Sequence, residues 1–244
     1  MTLSEPDPAP FPQHPPFTLP FRFFGSDRLV SLWPDLSKHP ILTTFQWSPL
    51  VHSGVLRNFA LLQPTSVKSL YDTSPQSILP GLVAVHLRRG DYNRHCPRLA
   101  AWHTGYNGLN AFPALPDRFE LPPDGEDVEA YYMRHCLPTD DQIVERLRAV
   151  REQHPTLRRV YVLTNERSWW LNGLKKALQK DGWDDLKSSL DNRLDSAQTY
   201  VAMAIDMAIA EKAEVFVGNG VRFSRHSLTH PLVLAYRLLH VVFL

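Results

Sequence analysis

The chain has 244 residues, 43% of them hydrophobic and 21% charged, which suits an ordinary globular protein with a substantial core. Lys plus Arg total 26 against 25 Asp plus Glu, and this near balance excludes bulk electrostatic binding to nucleic acid but leaves room for a local basic pocket. The N-terminus opens acidic and proline-rich, without the basic and apolar regions of a signal peptide. The longest apolar candidate, Leu232–Leu244, is too short to span a bilayer and is broken by Tyr236, Arg237 and His240, so a soluble chain is expected.

Residues 1–20 carry Pro6, Pro8, Pro10, Pro12, Pro15, Pro16 and Pro20. So many fixed φ angles and missing donors predict a polyproline-like or disordered arm. Residues 21–80 are aromatic and mixed, without clean periodicity, and read as a partial N-terminal segment of short helices and loops over the core. The pattern sharpens at Leu82–Leu87, an apolar run that predicts a buried strand of a parallel sheet. Residues 93–138 come next as a long irregular excursion, with a helical turn around Glu129–His135, and loops of that length are functional covers or disordered.

Thr139 is a plausible N-cap for a helix with Ile143, Leu147 and Val150 on one stripe. Arg159–Thr164 reads as a second buried strand. Ser168–Lys180 reads as a helix with Trp169, Leu171, Leu174 and Leu178 inward, stopped by Gly182. Asp195 or Ser196 would cap a third helix carrying Val201, Ala204, Ile205, Ala208 and Ile209. Glu214–Val217 is a third strand, ahead of Gly218-Asn219-Gly220. This alternation predicts an α/β fold over residues 81–220, a Rossmann-like parallel sheet with right-handed crossovers, followed by an atypical tail at 221–244. Two cysteines, Cys96 and Cys136, each stand directly after a histidine. They could be unconnected thiols, a disulfide, or part of a zinc site that lacks the usual ligand spacing.

Three predicted strands end in polar, turn-compatible residues: His86-Leu87-Arg88-Arg89-Gly90-Asp91, Thr164-Asn165-Glu166, and Gly218-Asn219-Gly220. Open α/β sheets bind ligands beyond the carboxyl ends of their strands, so three such endings make a candidate site. Guanidinium forks at Arg88 or Arg89 would neutralise a pyrophosphate, with Gly90 allowing close backbone approach. Thr164 and Asn165 offer a hydroxyl and an amide. The glycines after Val217 permit an anion-cradling turn, and Asp206 on the third helix could reach a ribose or base. The plainer reading makes the arginine pair a structural ion pair with Asp91, and the other endings ordinary turns. Arg89-Gly90-Asp91 also spells an adhesion tripeptide, but it comes after a buried strand rather than sitting on an exposed secreted loop. Dinucleotide, P-loop and nucleophile-elbow signatures are absent; Phe223 sits where a third glycine would be needed. No Asp-x-Asp pair stands ready to hold a metal against a diphosphate, which leaves neutralisation to arginine.

The run HLRRGDYNRHC, with VYVLTNE and the later DMAIAEKAEVFVGNG, resembles the GDP-fucose protein O-fucosyltransferase family, particularly its fungal members, over roughly residues 22–220. The resemblance implies the C-terminal donor-binding half of a GT-B glycosyltransferase, which passes fucose from GDP-fucose to a protein or glycan hydroxyl with inversion. No metal or other cofactor is implied. On the matching positions, Arg88 would be the catalytic phosphate-binding arginine; His86, Arg89 and Asp91 would shape the pocket; Asn165 and Asp206 would face the nucleotide. Members are usually lumenal in the secretory pathway, which favours a Cys96–Cys136 disulfide. Two departures stand out. Only about 80 residues precede the arginine strand, without the family's Gly/Asn-rich acceptor and base region, and the match stops at Gly220, where VRFSRHSLTH replaces the expected phosphate turn. A shifted reading of the gene, such as a retained intron, would explain the stop. The alternative function is a non-catalytic GDP- or glycan-binding remnant of the same fold.

Overall fold

The computed structural model describes residues 28–62, 78–105, 120–166, 168–218 and 241–243. The proline-rich arm, Asn219, Gly220 and most of the tail lie outside the described residues. Four parallel strands carry the fold: β1 (Leu79–Leu87), β2 (Arg159–Thr164), β3 (Asp185–Ser188) and β4 (Ala213–Gly218), in the order β3-β2-β1-β4. A short β5 (Val241–Phe243) pairs parallel to β4, so the atypical tail contributes a strand to the sheet.

Side-chain alternation along β1 sorts the two faces. Val83, Val85 and Leu87 join one core with Ile143, Leu147 and Val150 of α6 (Asp140–Gln153) and Leu171, Leu174 and Leu178 of α7 (Ser168–Lys180). Leu82 and Ala84 face the other core, with Val51, Val55 and Phe59 of α3 (Pro49–Leu62) and Ile205 and Ile209 of α9 (Ala202–Glu211). Helices cover both faces, as a continuous apolar strand requires. Ahead of α3 run two helices, α1 (Arg28–Leu36) and α2 (Pro40–Thr43). No helix among the described residues is long and apolar enough to cross a membrane.

Several local readings hold to the residue. Thr139 caps α6 through a reciprocal capping box with Gln142. Gly182 ends α7 with φ +91°, a left-handed conformation that a side chain would resist. Others need correction. Trp169 is 68% exposed, and Trp170 is the indole that packs inward. The helix expected from Asp195 is broken into α8 (Ser196–Thr199), capped by Asp195, and α9. Residues 49–62, within the stretch read as short helices and loops, form one 14-residue helix, α3, whose stripe is interrupted by buried Asn58. That amide is satisfied from three sides: Nδ2 donates to Gly54 O (2.9 Å) and Arg193 O (3.0 Å), and Oδ1 accepts from Arg193 N (2.6 Å).

The largest correction concerns residues 93–138. The helical turn expected around Glu129–His135 is there as α5 (Val128–Cys136), but the excursion also holds the unexpected α4 (Tyr92–Ala101), and the two pair over a separate small core of Tyr92, Cys96, Leu99, Ala100, Tyr132 and Cys136. Cys96 and Cys136 are disulfide-bonded at its centre. Pro97 inside α4 discourages a helical reading, because it deletes a backbone donor. Packing against α5 and the covalent staple outweigh that loss. The bond closes a separation of 40 residues in a module too small for a large core. Replacing both cysteines with alanine is therefore expected to lower stability by about 2–4 kcal/mol in urea unfolding, with a matching loss in wild type under dithiothreitol.

Candidate functional site

β1 and β2 are joined through α4–α6, and β2 and β3 through α7; the chain then returns across the sheet to place β4 on the far side of β1. The order therefore reverses between β1 and β4, and such a switch point opens the crevice in which doubly wound sheets hold ligands. His86 lies at its mouth, in register with Leu163 of β2 on one side and Gly218 of β4 on the other. The first two predicted strand endings and Gly218 of the third thus lie on one edge. Asn219 and Gly220 lie outside the described residues.

The arginine loop is fastened to this edge by a closed set of bonds. Arg88 Nε and Nη2 donate to Asp91 Oδ1 (3.0 Å) and Oδ2 (2.9 Å). Asn165 Nδ2 donates to Asp91 Oδ1 (3.2 Å), and Asn165 Oδ1 accepts from the Arg89 backbone N–H (3.0 Å). A Cβ on Gly90 would sit 3.2 Å from Asn165 Nδ2, so the close approach that Gly90 permits is to Asn165. The hydrogen bond from Arg88 holds the Asp91 carboxyl below its usual range, and the same bond raises Arg88.

The two guanidiniums do different work. Arg88 pairs with Asp91 and lies 5.4 Å from the Tyr92 ring centroid, at the solvent-facing edge. Arg89 turns into the structure, its Nη1 donating to Pro138 O (2.8 Å) and its guanidinium stacked 4.4 Å over Trp170. Trp170 is held in turn by Asp140 Oδ1, which accepts from its Nε1 at 2.7 Å. Burial lowers Arg89 from its ordinary value, though a guanidinium stays charged at any working pH. Arg89 therefore anchors the loop, whereas Arg88 stays at the strand edge, paired with Asp91.

The remaining candidates are distributed unevenly. Thr164 Oγ1 donates to Leu87 O (2.6 Å) and accepts from Glu166 N (3.1 Å), which ties the ends of β1 and β2 together. Asp206 stands below the edge: Tyr161 OH and Asn192 Nδ2 donate to its Oδ1 at 2.5 and 2.8 Å, and Tyr161 lies level with Ala84, two residues before His86. Burial raises the Asp206 carboxyl despite these bonds, and raises the Tyr161 hydroxyl as well. Asn192 Oδ1 is buried without a hydrogen-bond partner among the described residues. Trp170, Pro138, Tyr161 and Asn192 were not singled out from the sequence. An isolated proline or asparagine carries no motif, and Trp170 is masked by its neighbour Trp169.

No protein-family model matches the chain, and no curated protein matches it. Function has to be read from the chemistry of this edge.

His86 supplies a pH test of that chemistry. Desolvation, and then the charge of Arg88, lower its pKa from 6.5 to about 4. The folded state then binds fewer protons than the unfolded chain between those values. The stabilisation is complete above pH 6.5 and is lost as pH falls toward 4, by up to about 3 kcal/mol. His86→Gln is expected to remove that part of the acid sensitivity in unfolding curves measured across the window. Asp206 has the opposite sign: its raised pKa makes the protonated form the better-tolerated one, so ionisation on raising pH costs stability. Asp206→Asn should therefore gain on wild type as pH rises from acid to neutral, in the same unfolding series.

Proposed function

We propose that this chain is a fucosyltransferase-like donor domain, in which Arg88 grips the diphosphate of GDP-fucose for transfer of fucose, with inversion, to a protein or glycan hydroxyl. The observation that supports this most is the strand order, which sets the arginine strand at the β1/β4 switch point where a nucleotide would enter. The order of motifs along the chain, HLRRGD then VLTNE then VFVGNG, supports the donor's identity by its resemblance to the fucosyltransferase family.

The bond between Arg88 and Asp91 does not remove Arg88 from this role. Their side chains are 29% and 51% exposed, and an ion pair in that setting contributes about 0–1 kcal/mol. A diphosphate carries more charge than one carboxylate and matches the guanidinium fork, so it would outcompete or share with Asp91. As the bond from fucose to the β-phosphate breaks, negative charge grows on the departing GDP, and a cation already in place stabilises that change. His86, kept neutral, leaves this task to the arginine. The buried Cys96–Cys136 bond suits an oxidising compartment, in keeping with a lumenal enzyme.

A second reading, nucleotide binding without transfer, is favoured by one observation. Asp91 and Asp206, the two aspartates of the motif set, both already accept hydrogen bonds within the fold. A thermal-shift panel of GDP, GDP-fucose, UDP and ADP addresses binding, because a ligand of the folded state raises its melting temperature. GDP and GDP-fucose should shift the melt, whereas UDP and ADP should not; no shift with any of them would leave the arginines as structural ion-pairing groups. Arg88→Ala should cost about 3 kcal/mol of transition-state stabilisation, on the order of 100-fold in rate. Equal GDP affinity in the two proteins by calorimetry would remove Arg88 from the site, and GDP binding without fucose transfer would favour the second reading.

A further inference from the structure

The stapled pair α4–α5 stands apart from both sheet cores, and α4 begins at Tyr92, immediately after the arginine loop. Its inward face is Tyr92, Cys96, Leu99 and Ala100. The opposite face carries Arg94, Arg98 and Trp102, spaced i, i+4, i+8, so the three line up along one side of the helix. Both arginines are exposed and neither side chain has a hydrogen bond or ion pair to any described residue. Several other arginines of the domain are ion-paired: Arg57 with Asp195, Arg88 with Asp91, Arg134 with Glu126, and Arg148 and Arg151 with Asp181. Trp102 is 64% exposed. An aromatic ring beyond two unmatched cations, on a helix that a disulfide has already ordered, is a preorganised surface for an anionic partner.

We infer that this face of α4 docks an acidic polypeptide segment, lying along the helix with its leading end at the arginine loop. Spacing and charge select this partner. Arg94 and Arg98 are separated by about 6 Å of helix rise, and same-side residues of an extended peptide repeat at about 6.6 Å. Two acidic residues flanking one other residue would therefore meet the two guanidiniums in turn, and an apolar residue next along would cover the Trp102 indole. The chain's net charge of +1 disfavours nucleic acid, which calls for a strongly basic surface. As the acceptor side of fucose transfer this surface rests on the function proposed above, because a peptide held there would bring a serine or threonine hydroxyl toward Arg88. The docking itself is measurable without any transfer.

The probe is a short fluorescein-labelled peptide in which glutamate alternates with serine and a phenylalanine comes last, titrated by anisotropy against the full chain. Binding should weaken with added salt, as screened surface charges do. The double variant R94E/R98E should lose affinity by about tenfold or more, R94K/R98K should keep most of it, and Trp102→Ala should lose several-fold, all with unchanged melting temperatures. A peptide with lysine in place of glutamate should not bind. Equal affinity for the lysine peptide, unchanged affinity in R94E/R98E, or stronger binding of a labelled single-stranded oligonucleotide than of the acidic peptide would each overturn the inference. GDP titrations on the same proteins keep the two ideas separate. Loss of peptide binding with GDP binding intact counts for docking on α4, whereas peptide binding in a protein that ignores GDP sinks only the nucleotide reading.

Discussion

Everything in this fold is arranged around the burial of β1. It is hydrogen-bonded to β2 on one edge and β4 on the other, and its side chains are enclosed by α6 and α7 on one face and by α3 and α9 on the other. A strand so enclosed exposes little but its ends: Ile78 and Pro80 at its start and the polar residues that follow Leu87. The polar run after Leu87 is therefore fixed at the sheet edge, and because β4 returns to the far side of β1, that edge is also where the topology opens. The position of Arg88 is thus a consequence of hydrophobic burial elsewhere.

A second constraint acts at the edge itself. Asn165 holds the arginine loop from two directions, accepting from the Arg89 backbone and donating to Asp91, while Arg89 is inserted between Pro138 and Trp170. The loop is held on the Arg89 side by Pro138 and the Trp170 ring, and on the Arg88 side by the exposed ion pair with Asp91 beside the Tyr92 ring. The stapled α4–α5 pair is joined to this loop at both ends, through Tyr92 and through Pro138, so that the small core around Cys96–Cys136 also supports the edge.

Much of this was legible in the sequence, and the limits have physical causes. β2 and α7 were readable to the residue, because Val160–Leu163 is a continuous apolar run and Ser168–Lys180 is followed by Gly182 in the left-handed region. The convergence of three strand ends came from the βαβ alternation. By contrast α3 and α4 were hidden, α3 by a buried asparagine whose amide is satisfied from a distant loop, and α4 by an internal proline. In both cases a contact remote in sequence offsets a local penalty, and no window of neighbouring residues contains that contact. Trp169 and Trp170 were interchanged for a related reason: one residue of helix rotation decides which indole is inward.

The sequence alone determined the residue types available at the edge, the strand that delivers them and the parallel architecture, since apolar periodicity and chain order are local properties. Tertiary structure decided which of two adjacent arginines faces outward, that Asp206 is held by Tyr161 and Asn192 below the edge, and that Cys96 meets Cys136. Those outcomes depend on partners 40 or more residues away in sequence for the disulfide and Asp206–Tyr161 pairs, brought within bonding distance only once both faces of the sheet are covered.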